Sequence, residues 1–291
     1  MLRRTFIGLT TTAGLALASL GRVKHAKGEE DHDSDQDCYI NLQAVQTRDE
    51  LIKYFKENGY HSINPLPLVT GVEFNGGLQF DDDSLRIGAR DYSIQASARV
   101  EDLSEKNKPG ALPLFHVMAL SPAGGIQPNQ SIDLSLKFLI NQLGIVHDRL
   151  RVTGTNHLSA HLPLLQQYGI QESQIRFVDL KEARIAGKGS GYFEPKGHPR
   201  SPSLETYSIE YVLPSGQEIE IVEIGLDGIG LGLGIERLTM ARHNQLLTWK
   251  QGLKSFRDAV QASAQRQDLP LPRGYFEILG LPQPDSDTGD A

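Results

Sequence analysis

Residues 225–240 read Gly-Leu-Asp-Gly-Ile-Gly-Leu-Gly-Leu-Gly-Ile-Glu-Arg-Leu-Thr-Met. Gly228, Gly230, Gly232 and Gly234 alternate with large aliphatic residues, and a period of two with glycine on one face leaves one side of a strand as bare backbone. A flat ligand lies there, or another backbone approaches closely. The spacing is not a dinucleotide fingerprint, because no glycine pair two apart is followed by a glycine three further on. The chain also lacks a Walker loop: Gly187-Lys188 is followed by Gly189, with no glycine five positions before Gly187. A glycine strand that runs straight into a helix with Arg237 in its first turn is a different device. It suits a purine laid against the backbone, with the guanidinium stacked on it or holding phosphate.

Upstream of this strand, Tyr207–Leu213 and Glu218–Ile224 are two alternating runs joined by Pro-Ser-Gly-Gln, the pattern of an antiparallel hairpin. Helical spacing of apolar residues predicts helices over 48–58, 133–143 and 158–168, closed by Gly59, Gly144 and Gly169. Thr47 followed by Glu50 reads as a capping box for the first of them. Leu150-Arg-Val152 and Ile175–Val178 suit short strands. A hairpin with helices before and after it predicts an α+β fold, an antiparallel sheet flanked by helices, rather than a βαβ succession.

The ends differ from the middle. Arg3-Arg4 before the small and apolar run 8–20 reads as a twin-arginine export signal over 1–22, which would send the protein to the periplasm or otherwise outside the cytoplasm; without it the location is the cytoplasm. That run is too short for a bilayer, so no integral membrane association is expected. Residues 23–45 read as a disordered acidic linker, 46–245 as the main domain, 246–280 as a helical extension in which Trp249 packs, and 281–291 as a frayed tail. The net charge of −7 is concentrated at the ends, since removing them leaves 24 bases and 27 acids. The near-neutral body and a single cysteine, Cys38, argue against a polyanion-coated surface, a disulfide framework and a cysteine-rich zinc site. His157 and His161 would share one helical face, but no third metal ligand accompanies them.

The glycine strand and its arginine resemble the third signature motif of class II aminoacyl-tRNA synthetases, Gly-x-Gly-x-Gly-x-x-Arg, here Gly230, Gly232, Gly234 and Arg237. Further segments are similar to alanyl-tRNA synthetase in that family's order. They are Arg48–Val69, Gly76–Phe80, Ile94–Arg99 followed by Glu101-Asp-Leu103, Phe115-His-Val-Met118, and Ser203-Leu-Glu205. The resemblance covers about residues 46–245. It implies ATP and Mg²⁺, with Arg99 and Arg237 as the catalytic arginines on the α-phosphate and the nucleotide. Met118 would lie beside the adenine, and Gly232 and Gly234 would form the backbone under it. Glu205 and Glu220 are the candidates for Mg²⁺, Glu205 also for the nucleotide side. Asp227, Gly230, Glu220 and Glu223 are the candidates on the substrate side. Strict alternation along the hairpin strand would turn Glu218 and Glu220 together and away from Glu223.

Three departures qualify the resemblance. Gly230 stands where the family places the aspartate that holds the substrate amino group, with Asp227 three residues earlier as the nearest stand-in. Either Asp227 or a hairpin glutamate replaces it, or the substrate is not an α-amino acid bound like alanine; the second option is the expectation, because three residues along a strand lead to the other face. Ala111-Leu-Pro-Leu114 replaces a basic run, and the sequence given stops soon after the glycine motif. The implied activity is adenylation of an amino acid or related carboxylate, with tRNA (bound weakly), a carrier protein or a small molecule as acceptor. A non-catalytic binding or regulatory module and an RNA-independent amide-forming ligase are the alternatives.

Overall fold

A computed structural model describes residues 42–77, 80, 86–105, 110–121, 125–186, 191–193, 204–226, 230–247 and 253–282, all within one compact unit spanning residues 33–291. The export signal, most of the linker, Ser203, Asp227, Trp249 and most of the tail lie outside the described residues.

Helix α1 (Leu42–Glu57) leads to β1 (His61–Ser62), the small hairpin β2 (Val69–Thr70) and β3 (Glu73–Phe74), and the long pair β4 (Asp91–Ala98) and β5 (Leu114–Leu120). Then follow α2 (Pro128–Lys137), β6 (Leu150–Gly154), α3 (Leu162–Gln167), β7 (Ile175–Phe177), α4 (Leu180–Ala186) and β8 (Tyr192–Phe193). The hairpin β9 (Leu204–Val212) and β10 (Glu218–Gly225), the glycine strand β11 (Leu231–Gly234), α5 (Ile235–His243), α6 (Leu253–Arg266) and α7 (Tyr275–Ile278) complete the order. The main sheet runs β1-β4-β5-β11-β10-β9-β6-β7, with β8 also paired to β9. Its centre is antiparallel, and the pairs β1–β4 and β6–β7 at its edges are parallel. The expected α+β architecture, an antiparallel sheet flanked by helices, is therefore the one observed.

Register explains how the sheet is layered. Tyr92, Met118, Leu120, Leu231, Leu233, Ile224, Tyr207 and Ile209 lie on one face through successive cross-strand pairs, and all are buried. Helix α5 crosses β5 and β10 on that side, α2 packs on β10, and α1 packs on α5. Each fully buried large aliphatic side chain contributes about 1.5–3 kcal/mol, so this face is where the fold is held together. The opposite face carries Ser93, Gln95, Ser97, Phe115, Val117, Gly232, Gly234, Glu220, Glu223, Thr206, Ser208 and Glu210. A sheet with one apolar face packed by helices and one polar face leaves the polar face for chemistry.

Local differences from the expected elements have local causes. Helix α1 starts at Leu42, inside the stretch read as linker, and Thr47 is no cap: it is buried within the helix and its Oγ1 donates to the Gln43 carbonyl at 3.1 Å. Helix α2 starts five residues before the expected Asp133, because Pro128 occupies its first turn and the Gln127 N–H donates to the Gln130 side chain at 3.2 Å. A π-helical turn over Phe138–Gln142 then carries the chain to Gly144. The expected helix over 158–168 is split into a 3₁₀ turn, Asn156–His161, and α3. All three expected glycine stops have positive φ, 81° at Gly59, 67° at Gly144 and 80° at Gly169.

Candidate functional site

The polar face holds a cavity of about 650 Å³ whose lining includes Arg99, Phe115, Val117, Glu220, Glu223, Gly232, Gly234 and Arg237. Its floor is set by strand register. Gly232 pairs with Ala119 on one side and Glu223 on the other, and Gly234 pairs with Val117. The glycines thus open a shallow channel between the side chains of β5 and β10. At one end, Arg99 follows directly on β4; its Nε donates to the Gly76 carbonyl at 2.7 Å, and its guanidinium lies 5.1 Å from the Phe115 ring centre. At the other, Arg237 in the first turn of α5 lies over Gly234, where an added Cβ would meet its Cβ at 3.6 Å. Arg237 Nη1 donates to both the backbone carbonyl and Oε1 of Glu220 at 3.4 Å.

Glu223 is the most perturbed acid of the cavity. Burial first, and the neighbouring Glu220 carboxylate second, raise its carboxyl to about 8, while Arg99, Arg237 and the Thr206 hydroxyl pull it back. Both arginines therefore act on the same half-buried acid. Glu236 has a supporting position: its carboxylate accepts the His116 backbone N–H and meets His116 Nδ1, both at 2.8 Å, where β11 leaves β5 to become α5. It fastens the helix that carries Arg237 to the sheet.

The alternation expected for β10 is corrected here. A bulge falls between Glu220, which pairs with Glu210, and Val222, which pairs with Ile209, so one extra residue, Ile221, shifts the strand's phase. Glu218, Glu220 and Glu223 consequently all line the cavity. Met118 is also corrected: it is fully buried on the apolar face, paired with Ile94 and Leu233, and the residues that reach the cavity from β5 are those of the opposite phase, Phe115 and Val117. Glu205 does not join Glu220. It sits at the start of β9, out of phase with Thr206 and Ser208, where it accepts the Thr155 hydroxyl and meets His157 Nδ1 at 2.9 Å. His157 and His161 do not share a helical face either, since they lie on a 3₁₀ turn and the His161 ring packs edge-on to Tyr207. Gly230 adopts a φ of 82°, a left-handed conformation that disfavours the family's aspartate at this place. Phe115, Val117 and the bulge were not anticipated from sequence; the alternation Phe115-His-Val-Met-Ala119 carried the signal for the first two.

Among the described residues no group of three or more His, Cys, Asp or Glu side chains forms a self-sufficient metal site. The donors do fit Mg²⁺ in its usual nucleotide-linked form, which needs only one or two carboxylates with substrate phosphates supplying the rest. Glu220 meets that requirement, whereas Glu205 is engaged elsewhere. Two guanidiniums flanking a side-chain-free strip of backbone likewise fit a nucleotide.

No protein-family model matches the chain, and no curated protein matches it. Among solved structures it is similar to apo histidyl-tRNA synthetase of S. aureus, at 11% identity over 86% of this chain and 84% of that one, with a TM-score of 0.37. The RNA-binding domain of threonyl-tRNA synthetase from Cryptosporidium parvum Iowa II is matched at 10% identity over 80% and 77%, TM-score 0.39. Asparaginyl-tRNA synthetase of Entamoeba histolytica is matched at 15% identity over 68% and 62%, TM-score 0.29. Likeness at that level assigns no activity.

Proposed function

We propose that this is a class II synthetase-like domain that binds Mg-ATP and adenylates an amino acid or related carboxylate. The observation that carries the reading is the convergence of Arg99 and Arg237, 138 positions apart in the sequence, on one cavity floored by Gly232 and Gly234. Adenylation needs no protein nucleophile. A substrate carboxylate oxygen attacks the α-phosphorus of ATP, the bond to the bridging oxygen breaks and pyrophosphate leaves. Fixed cations placed where negative charge builds up supply the acceleration.

In this reading Arg99, held by Gly76 and Phe115, meets the α-phosphate and the substrate carboxylate, and Arg237 meets the nucleotide from the opposite end. Gly232 and Gly234 admit the flat base, and Phe115 and Val117 take the wall that Met118 would have provided. Bound Mg²⁺ would offset phosphate charge, with Glu220 as its protein ligand. The acceptor is tRNA, a carrier protein or a small amine; the last would make the protein an RNA-independent amide-forming ligase. One observation favours a non-catalytic binding module instead: Gly230, in its left-handed conformation, stands where the family has a carboxylate. Pyrophosphate exchange into ATP, assayed across the twenty amino acids, decides between them. Exchange with at least one acid supports adenylation, and ATP binding without exchange supports the module.

A further inference from the structure

Helices α6 and α7 lie beyond residue 245, outside the segments that resemble the synthetases. Their contacts give them a place behind the cavity. Gln267, just after α6, donates its side-chain amide to the Val69 carbonyl of β2 at 2.9 Å and to the Ser263 carbonyl at 3.0 Å. Phe256 of α6 and Phe74 of β3, both buried, pack with their ring centres 6.1 Å apart. The Arg273 N–H donates to the Val72 carbonyl, in the turn between β2 and β3, at 2.9 Å. The extension thus holds both strands of this hairpin and its turn.

The hairpin leads directly into the residues that hold Arg99. Asn75, almost fully buried, donates its N–H to the Leu68 carbonyl at 2.7 Å, accepts the Ala98 N–H at 2.9 Å and donates its side-chain amide to Gln95 Oε1 at 2.9 Å. Its Oδ1 accepts the Gly77 N–H at 3.4 Å. Gly76, between these fixed neighbours, presents the carbonyl that accepts Arg99 Nε at 2.7 Å. The extension also reaches Arg99 from its other side. Val100, the next residue, opens a 3₁₀ turn, Val100–Glu105, on which α7 packs. Gly274, with a φ of 74°, comes so close that an added Cβ would meet Val100 Cγ1 at 2.6 Å. A long guanidinium side chain has many rotamers, and a group on it is aimed only when the groups it touches are themselves fixed. We infer that the C-terminal extension positions Arg99: Gln267 and Phe256 hold the hairpin that presents the Gly76 carbonyl, and Gly274 sets the turn that begins at Val100. The positioning follows from these contacts, and its consequence for catalysis rests on the adenylation reading.

The test uses the full chain with Gln267→Ala and Gly274→Ala, two changes that touch neither the cavity nor Arg99 itself. Both are assayed by pyrophosphate exchange, alone and combined with Arg99→Ala, and by the ¹⁵N spectrum of the Arg99 Nε–H, identified by its loss in Arg99→Ala. Each single variant should lower kcat about ten- to a hundredfold with KM for ATP little changed, the scale of a small misplacement transmitted from outside the site. In the Arg99→Ala background the same changes should have almost no further effect, because an influence that runs through one residue does not add to its removal. The Arg99 Nε–H should exchange with solvent slowly in the parent and at least about tenfold faster in the variants, as a loosened hydrogen bond requires. Parental kcat in both variants, an undiminished loss in the Arg99→Ala background, or an Nε–H equally protected in parent and variants would each overturn the inference. If the parent catalyses no exchange with any amino acid while the variants still loosen the Arg99 Nε–H, the adenylation reading fails and the positioning stands.

Discussion

The two arginines and Glu223 make opposite demands on the cavity, and each gives a measurable consequence. Arg99→Ala or Arg237→Ala should lower pyrophosphate exchange by about 100-fold or more, the scale of removing one preorganised charge-stabilising donor; exchange at the parental rate in either variant would remove that arginine from the mechanism. Glu223 acts on stability instead. Its carboxyl rises from the ordinary 4.5 to about 8 in the folded chain, chiefly through burial. Between those values the unfolded chain loses the proton and the native chain keeps it, so the residue's contribution is fully present below about 4.5 and is lost as pH rises through 8. Glu223→Gln has no proton to lose. Its melting temperature relative to the parent should therefore rise between pH 5 and pH 8, and a constant difference across that range would contradict the proton-retaining carboxyl. At Gly230 the φ of 82° makes any side chain costly. Gly230→Ala should destabilise by about 1–2 kcal/mol, measured by urea unfolding, which also makes Gly230→Asp a poor way to restore the family's aspartate.

Strand phase decides which residues of an element reach the site, and β5 offers the cleanest comparison. Met118→Ala should cost about 2–5 kcal/mol of stability, as for other buried large-to-small changes, with little effect on Mg-ATP affinity. Phe115→Ala should do the reverse, because Phe115 is half-buried and braces Arg99 from the cavity side. If Met118→Ala weakens ATP binding more than Phe115→Ala, the assignment of the two faces is wrong. The same elements show what could be read from sequence. The hairpin 207–224, the glycine strand and the glycine helix stops were legible because alternation and turn residues are local signals. Arg99 and Arg237 were legible because each sits in a recognisable pattern. The bulge at Ile221 was not, since Glu218–Gly225 alternates well enough to hide one extra residue until its partner strand fixes the register. Glu205 was misplaced for a related reason: its order in the sequence follows the family, while its phase on β9 turns it toward Thr155 and His157.

Across the described residues, the sheet divides labour between an apolar face that binds α2 and α5, with α1 packed on α5, and a polar face that holds charges. Basic side chains of the body are drawn into this packing too, since Arg242 of α5 forms a two-pronged pair with Glu50 of α1 at 2.8 and 3.0 Å. Any tRNA binding should accordingly be weak and fall steeply between low and physiological salt, as counterion release requires; tight binding that ignores salt would argue for a dedicated RNA surface. No helix among the described residues is long and apolar enough to cross a membrane. The proposed nucleotide site on the polar face, built from Arg99, Arg237 and the glycine strand, is tested by the melting temperature of the full chain with and without millimolar Mg-ATP. Ligand at a hundredfold excess over its dissociation constant should stabilise the fold by roughly 2.7 kcal/mol, raising the melting temperature in the parent and much less in Arg99→Ala and Arg237→Ala. An unchanged melting temperature in the parent, or a shift that persists undiminished in both variants, would contradict it.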